Sequence, residues 1–224
     1  MTFDSFTLAA STAVLADEPH ARDHADVVEF RMDLADDPLS QLADYDGELP
    51  ILATNRASWE GGEATGDESR LDALETAAEY DTVAAIDLEL ECLLSGEGNR
   101  VAEHARKHDS AVVASIHDFE ETPDENRLRE LLEQATDYAD VGKLAVTANS
   151  RSDVLDLLSV TNRLTERGRT VATMAMGEIG RHSRAVAPIY GSKIGYAPLN
   201  SADATAPGQY DLATLSQLVR ELQG

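Results

Sequence analysis

Two residues of this 224-residue chain could together carry covalent chemistry: His117, in Ser115-Ile116-His117-Asp118-Phe119, and Lys143, between Gly142 and Leu144. A lysine amine in its uncharged form attacks a carbonyl to give an imine, and an imidazole can take and return a proton within one turnover. Lys143 stands in an apolar run, where a charged lysine is rarely tolerated without a partner. The plain alternative is a structural lysine neutralised by a carboxylate such as Glu89. Against that stands scarcity: the chain has only two other lysines, Lys107 and Lys193. A lone histidine after a strand is more often structural than catalytic, and the neighbouring lysine strand is what favours a functional reading.

Other residue types suggest binding rather than bond-making. Arg31, Arg56 and Arg184 are candidate anion ligands, since a guanidinium grips a carboxylate with two hydrogen bonds; surface ion pairs are the bland reading in so acidic a chain. Glu60-Gly61-Gly62 and the Gly177, Gly180 spacing could each form an anion-binding turn, but neither fits a nucleotide-binding fingerprint. His104 with His108, and His20 with His24, show the i, i+4 spacing that can hold a metal. No third ligand is evident in the sequence, so no metal site is expected, and without a nucleotide-binding fingerprint no nucleotide cofactor is expected either.

The elements that must position these residues follow from periodicity. Ala111 to Ser115 and Val141 to Val146 read as strands. Between them Leu128, Leu131, Leu132 and Ala135 carry helical spacing, and Thr122-Pro123-Asp124-Glu125 suggests a capping box with Thr122 as N-cap. Six more runs, Thr7 to Ala13, Val27 to Met32, Ile51 to Thr54, Ala84 to Leu88, Thr170 to Met174 and Ser192 to Tyr196, bring the strand count to eight. Helical patterns lie near Pro19 to Asp26, Pro38 to Asp44, Glu68 to Tyr80, Asn99 to Lys107, Asp124 to Tyr138, Arg151 to Glu166, Arg181 to Pro188 and Gln209 to Leu222. This alternation predicts a TIM-type (β/α)8 barrel in one domain over residues 1–224, with the site at the C-terminal strand ends. An open doubly wound sheet is the runner-up. Polar residues gather where a barrel needs them: Glu29 and Arg31, Arg56 and Glu60, Asp87, Glu89 and Glu91, then His117.

Composition narrows the partners. A net charge of -24 argues against nucleic acid and anionic membranes. Acidic, lysine-poor chains suit molar salt, where self-repulsion is screened over a Debye length of about 3 Å. Cys92 is alone, so an intrachain disulfide is excluded, and a cytoplasmic location is expected. The first residues lack the basic start of a signal peptide, and there is no apolar run long enough to span a membrane. The sequence leaves the oligomeric state open, with a homodimer as one option.

Taken in order, Glu29-Phe30-Arg31-Met32-Asp33, Thr54-Asn55-Arg56 through Glu60-Gly61-Gly62, Asp87-Leu88-Glu89-Leu90, Ser115 to Phe119 with Thr122-Pro123, and Gly142-Lys143-Leu144-Ala145 closely resemble the motifs of type I 3-dehydroquinate dehydratases. Met176-Gly177, Ser183-Arg184, Gly191-Ser192 and Ala206-Pro207-Gly208-Gln209 complete the set. The resemblance implies a barrel enzyme of the shikimate pathway whose substrate, the small anion 3-dehydroquinate, forms an imine with Lys143 while His117 moves the proton. It further implies that Glu60 orients His117, that Glu29, Arg31 and Arg56 address the ring hydroxyls, and that Arg184 and Gln209 hold the substrate carboxylate under a loop from Asn200. Thr205 stands where the family usually has serine, keeping the hydroxyl but adding a methyl. Two other readings compete: a class I aldolase or transaldolase, which would need a phosphate-gripping turn, and a non-catalytic barrel, which would have lost the lysine or histidine.

Overall fold

Short β-branched runs and amphipathic segments alternate along the chain because strands buried on both faces need apolar residues throughout, while the helices covering them need one apolar side. The computed structural model describes residues 1–199 and 208–223. Its strands are β1 (Thr7–Thr12), β2 (Val27–Arg31), β3 (Ile51–Thr54), β4 (Val83–Glu89), β5 (Ala111–Asp118), β6 (Val141–Thr147), β7 (Val171–Met176) and β8 (Ile194–Pro198). All ladders are parallel, in the order β7-β6-β5-β4-β3-β2-β1-β8. The two ends of that order meet through the Lys193 N–H on the Val171 carbonyl at 2.8 Å and the Thr173 N–H on Ser192 Oγ at 2.9 Å. The result is a nearly closed eight-stranded barrel. Ser192 therefore serves as a bridge across the seam, and β8 begins two residues later than its apolar run suggests.

Period-two alternation sorts each strand. Outward residues such as Phe30, Ile86, Leu88, Leu144 and Val146 are buried under the helices. Inward residues Val27, Leu52, Ala85, Val113, Val141, Ala172 and Ile194 fill the lower barrel. One inward position higher, the same parity brings Glu29, Thr54, Asp87, Ser115, Lys143, Met174 and Tyr196 to the next layer. A polar side chain there meets other strands' polar side chains rather than water.

The helices are α1 (Pro38–Ala43), α2 (Asp67–Ala77), α3 (Leu90–Ser95), α4 (Asn99–Lys107), α5 (Glu125–Tyr138), α6 (Arg151–Glu166), the single turns α7 (Gly177–Gly180) and α8 (Ser183–Val186), and α9 (Leu212–Gln223). Helix α5 buries Leu128, Leu132 and Ala135 as its spacing requires. Its N-cap, however, is Asp124, whose Oδ1 accepts from the N–H groups of Asn126 at 2.9 Å and Arg127 at 3.0 Å. Thr122 is committed elsewhere, donating to the Thr147 carbonyl at 2.9 Å and so tying the end of β5 to that of β6. The helix expected near residues 19–26 is a 3-10 turn over Leu15–His20. There Glu18 turns inward to accept from Arg22 and from the backbone N–H groups of Glu48 and Leu49. Helix α3 was not legible, because Glu91 reads as a further strand-end polar residue; it is instead exposed on that helix.

Candidate active site

Strands β5 and β6 pair with Ser115 opposite Lys143 and His117 opposite Ala145, so both reactive candidates face inward, one layer apart. Strand β5 runs to Asp118, which places His117 within the strand rather than after it and fixes its backbone. At the C-terminal ends of the strands a cavity opens, lined by Glu29, Arg31, Arg56, Glu60, His117, Lys143, Arg184 and Gln209 among others. Every described candidate residue thus reaches one space. Thr205 and most of the loop from Asn200 lie outside the described residues.

Lys143 is 4% exposed. Its Nζ donates to Asp87 Oδ2 at 3.0 Å, lies 3.9 Å from Glu29 Oε1, and sits 4.3 Å from the centre of the Tyr196 ring. The partner is therefore Asp87, with Glu29 behind it, and not Glu89. Glu89 is occupied by Arg56 at 3.1 Å, Arg70 at 2.8 Å and the Ala57 N–H at 3.0 Å. Asp87 also meets Arg56 at 2.8 Å and accepts from Ser115 Oγ at 2.6 Å. Three buried carboxylates (Glu29, Asp87, Glu89) thus interlock with three buried cations (Arg56, Arg70, Lys143), as ions removed from water must. Burial works against the Asp87 anion, but Arg56 and Lys143 outweigh it and hold the carboxyl well below the usual carboxylate range. Asp87 is a permanent negative charge beside the lysine.

His117 has a different setting. Its Nδ1 lies 2.7 Å from Glu60 Oε2, and its ring stacks on Phe119 with centroids 5.9 Å apart. Burial, then the charges of Arg56 and Lys143, push its pKa well below the ordinary histidine value, so the ring is neutral at pH 7. Burial pushes Glu60 the other way, up to about 7, against the pull of Arg56. The glycine pair after Glu60 makes this approach sterically feasible. A Cβ on Gly61, whose φ is 77°, would strike the Phe119 ring, and one on Gly62 would lie 2.1 Å from the Arg56 carbonyl oxygen. The pair forms a close-approach turn at the edge of the cavity.

Arg184 is 4% exposed, and among the described residues no carboxylate pairs with it; burial alone lowers its pKa to about 10. An unpaired buried guanidinium beside a cavity is a site for an anion. Arg31, by contrast, is held by Asp33 through two bonds of 2.8 and 2.7 Å. Gln209 reaches the rim because Gly208 packs directly on the Gly177 backbone, where a Cβ would lie 2.4 Å from the Gly177 oxygen. Asp33, Ser115, Arg70 and Tyr196 are parts of the site that residue type alone did not single out. For Ser115 and Tyr196 the available signal was strand parity, each lying an even number of positions from an inward residue.

The chain matches the family model for type I 3-dehydroquinase over residues 5–224. It is 59% identical to a 3-dehydroquinate dehydratase of Haloarcula marismortui, covering 100% of this chain and 99% of that one, and 52% identical to one of Halobacterium salinarum, covering 100% of both. Among solved structures, a 3-dehydroquinate dehydratase from Geobacillus kaustophilus superimposes with a TM-score of 0.87 at 27% identity, covering 98% of this chain and 92% of that one. A type I 3-dehydroquinate dehydratase from Clostridium difficile, described with covalent modified comenic acid, gives 0.84 at 26% identity over 97% and 92%.

Proposed function

Because the chain belongs to the type I 3-dehydroquinase family, and is by that membership a 3-dehydroquinate dehydratase, we propose that it works through an imine on Lys143 with His117 as the proton carrier. Lys143 passes its ammonium proton to the neutral His117, the freed Nζ adds to the C3 carbonyl of 3-dehydroquinate, and the same proton returns to the carbinolamine oxygen, which leaves as water to give a protonated imine. His117 Nε2 removes a C2 proton, and the electron pair moves into the iminium to form an enamine. The enamine then expels the C1 hydroxyl, which leaves as water with the proton held on His117. Hydrolysis of the conjugated imine frees 3-dehydroshikimate and the lysine. The sum is substrate to product plus one water.

The observation that carries this reading is the division of charge around the pair. Lys143 sits against a fixed anion, Asp87, suited to an iminium that forms in its place. His117 is neutral, with Nδ1 on Glu60 and Nε2 left for the substrate. Arg184, buried and with no carboxylate partner among the described residues, suits the substrate carboxylate, and Gln209 lines the same cavity. Glu29 and Arg56 would face the ring hydroxyls from the ion network, and Arg31 from its place on Asp33. The aldolase and non-catalytic readings give way to the family membership.

Borohydride reduction in the presence of 3-dehydroquinate should leave the Lys143 peptide heavier by the reduced adduct, and Lys143→Ala should lose both the adduct and dehydration. An unmodified Lys143 peptide in enzyme that still dehydrates substrate would end the imine mechanism.

A further inference from the structure

His104 and His108 form the helical pair for which the sequence supplies no third ligand, and the fold brings one from the segment that follows a neighbouring helix. Helix α4 packs on α2, and Glu79, just past the end of α2, brings its Oε1 to 3.1 Å from His104 Nε2. The His104 and His108 rings have centroids 4.6 Å apart, and ligand atoms of all three side chains lie within 4.8 Å of one another. We propose that Glu79, His104 and His108 form a surface site for a divalent transition-metal ion of the zinc class, clipping α2 to α4.

Distances and donor chemistry both point this way. Bonds of about 2.0–2.1 Å around tetrahedral zinc separate the donors by about 3.3 Å, close to the spacing of Nε2 and Oε1. Both atoms are acceptors unless the ring carries a proton there, so an ion between them satisfies both. On the other side of the ring Glu75 Oε1 lies 3.5 Å from Nδ1, and Glu75 is itself held by Arg100. A carboxylate on the far nitrogen is the arrangement that orients a metal-bound imidazole. Two imidazoles and one carboxylate favour zinc, nickel or copper over magnesium or calcium, which prefer all-oxygen sites. A water would complete the fourth position. Glu79 precedes β4 and His108 precedes β5, so the cluster lies at the N-terminal strand ends, the face of a barrel concerned with stability rather than chemistry. The clip would therefore raise stability without touching the active cavity.

Zinc titrated calorimetrically into untagged protein, in a non-coordinating buffer at molar KCl, tests this directly. One zinc should bind per chain and raise Tm, and magnesium at the same concentration should do neither. His104→Ala and His108→Ala should each weaken zinc binding by more than tenfold and abolish the Tm shift. Glu79→Gln, an exposed substitution that spares the fold, should weaken it too, and Glu75→Gln by roughly tenfold through the second nitrogen. All four variants should dehydrate substrate at the wild-type rate. The other helical pair is the control, and His20→Ala with His24→Ala should leave zinc binding unchanged. No zinc uptake by the wild type, uptake unchanged in the His104→Ala, His108→Ala double variant, or uptake lost with the His20, His24 pair would each overturn the assignment.

Discussion

At the scale of single residues, the cavity gives its two reactive groups opposite surroundings. Lys143 is locked into a network of alternating charges, whereas His117 touches one carboxyl group and an aromatic ring. The second arrangement predicts a pH dependence. With His117 neutral, the group that titrates near the working pH is Glu60, at about 7. An ionised Glu60 accepts from the Nδ1–H of His117 and leaves the Nε2 lone pair free to remove a proton. A protonated Glu60 donates to Nδ1, so the proton moves to Nε2 and the base is blocked. Activity should therefore rise as pH increases through about 7, with kcat/KM reporting the free enzyme. Glu60→Gln should lose that limb and fall about a hundredfold at its plateau, which a pH series at constant KCl with circular dichroism at each point can measure. A limb unchanged in Glu60→Gln would assign it to another group. His117 and Lys143 were legible as residue types in apolar runs. The pairing of Lys143 with Asp87 was not, because the two lie 56 positions apart in the chain and only the strand register decides which carboxylate comes within reach.

At the scale of elements, β5, α5 and β6 do the positioning, and their joints matter more than their lengths. The i, i+3, i+4, i+7 spacing of Leu128, Leu131, Leu132 and Ala135 made α5 readable, and β-branched runs did the same for both strands. The joint between them was misread because Thr122 and Asp124 are both good N-caps and sequence cannot say which side chain is already engaged. Asp124 caps the helix while Thr122 bonds across to Thr147, holding together the strand ends that bear His117 and Lys143. Asp124→Ala should cost about 1 kcal/mol of stability. It should also speed amide exchange at Asn126 and Arg127, whose donors it leaves open. Thr122→Ala should leave those two amides protected. If both variants deprotected them equally, the cap would be shared and the assignment of Asp124 wrong. Helix α3 and the seam between β7 and β8 were hidden for a related reason: a six-residue helix running straight on from a strand, or a side-chain bridge such as Ser192, leaves no periodic trace.

At the scale of the molecule, two electrostatic fields act on the substrate, with different ranges. The surface is strongly acidic, at a net charge of -24, and its relatives of high identity come from halophilic archaea. The cavity is not acidic in the same sense. Glu29, Asp87 and Glu89 are matched by Lys143, Arg56 and Arg70, Arg31 is matched by Asp33, and Arg184 adds a buried cation with no carboxylate partner among the described residues. An approaching carboxylate is repelled by the whole surface and attracted only once it reaches the mouth. Salt acts unequally on the two. Repulsion from exposed charges extends about 30 Å at 0.01 M ionic strength and about 3 Å at 1 M, while the contact with a buried guanidinium is shielded from ions and changes little. KM for 3-dehydroquinate should therefore fall as KCl is raised from low to molar concentration. Arg184→Met should raise KM at every salt concentration without removing that slope, because it deletes the short-range attraction and leaves the long-range repulsion in place. Steady-state kinetics across a KCl series, restricted to concentrations where circular dichroism shows the barrel intact, separates the two fields. A KM that climbed with KCl over that range would mean that long-range attraction to the site's cations outweighs the acidic surface.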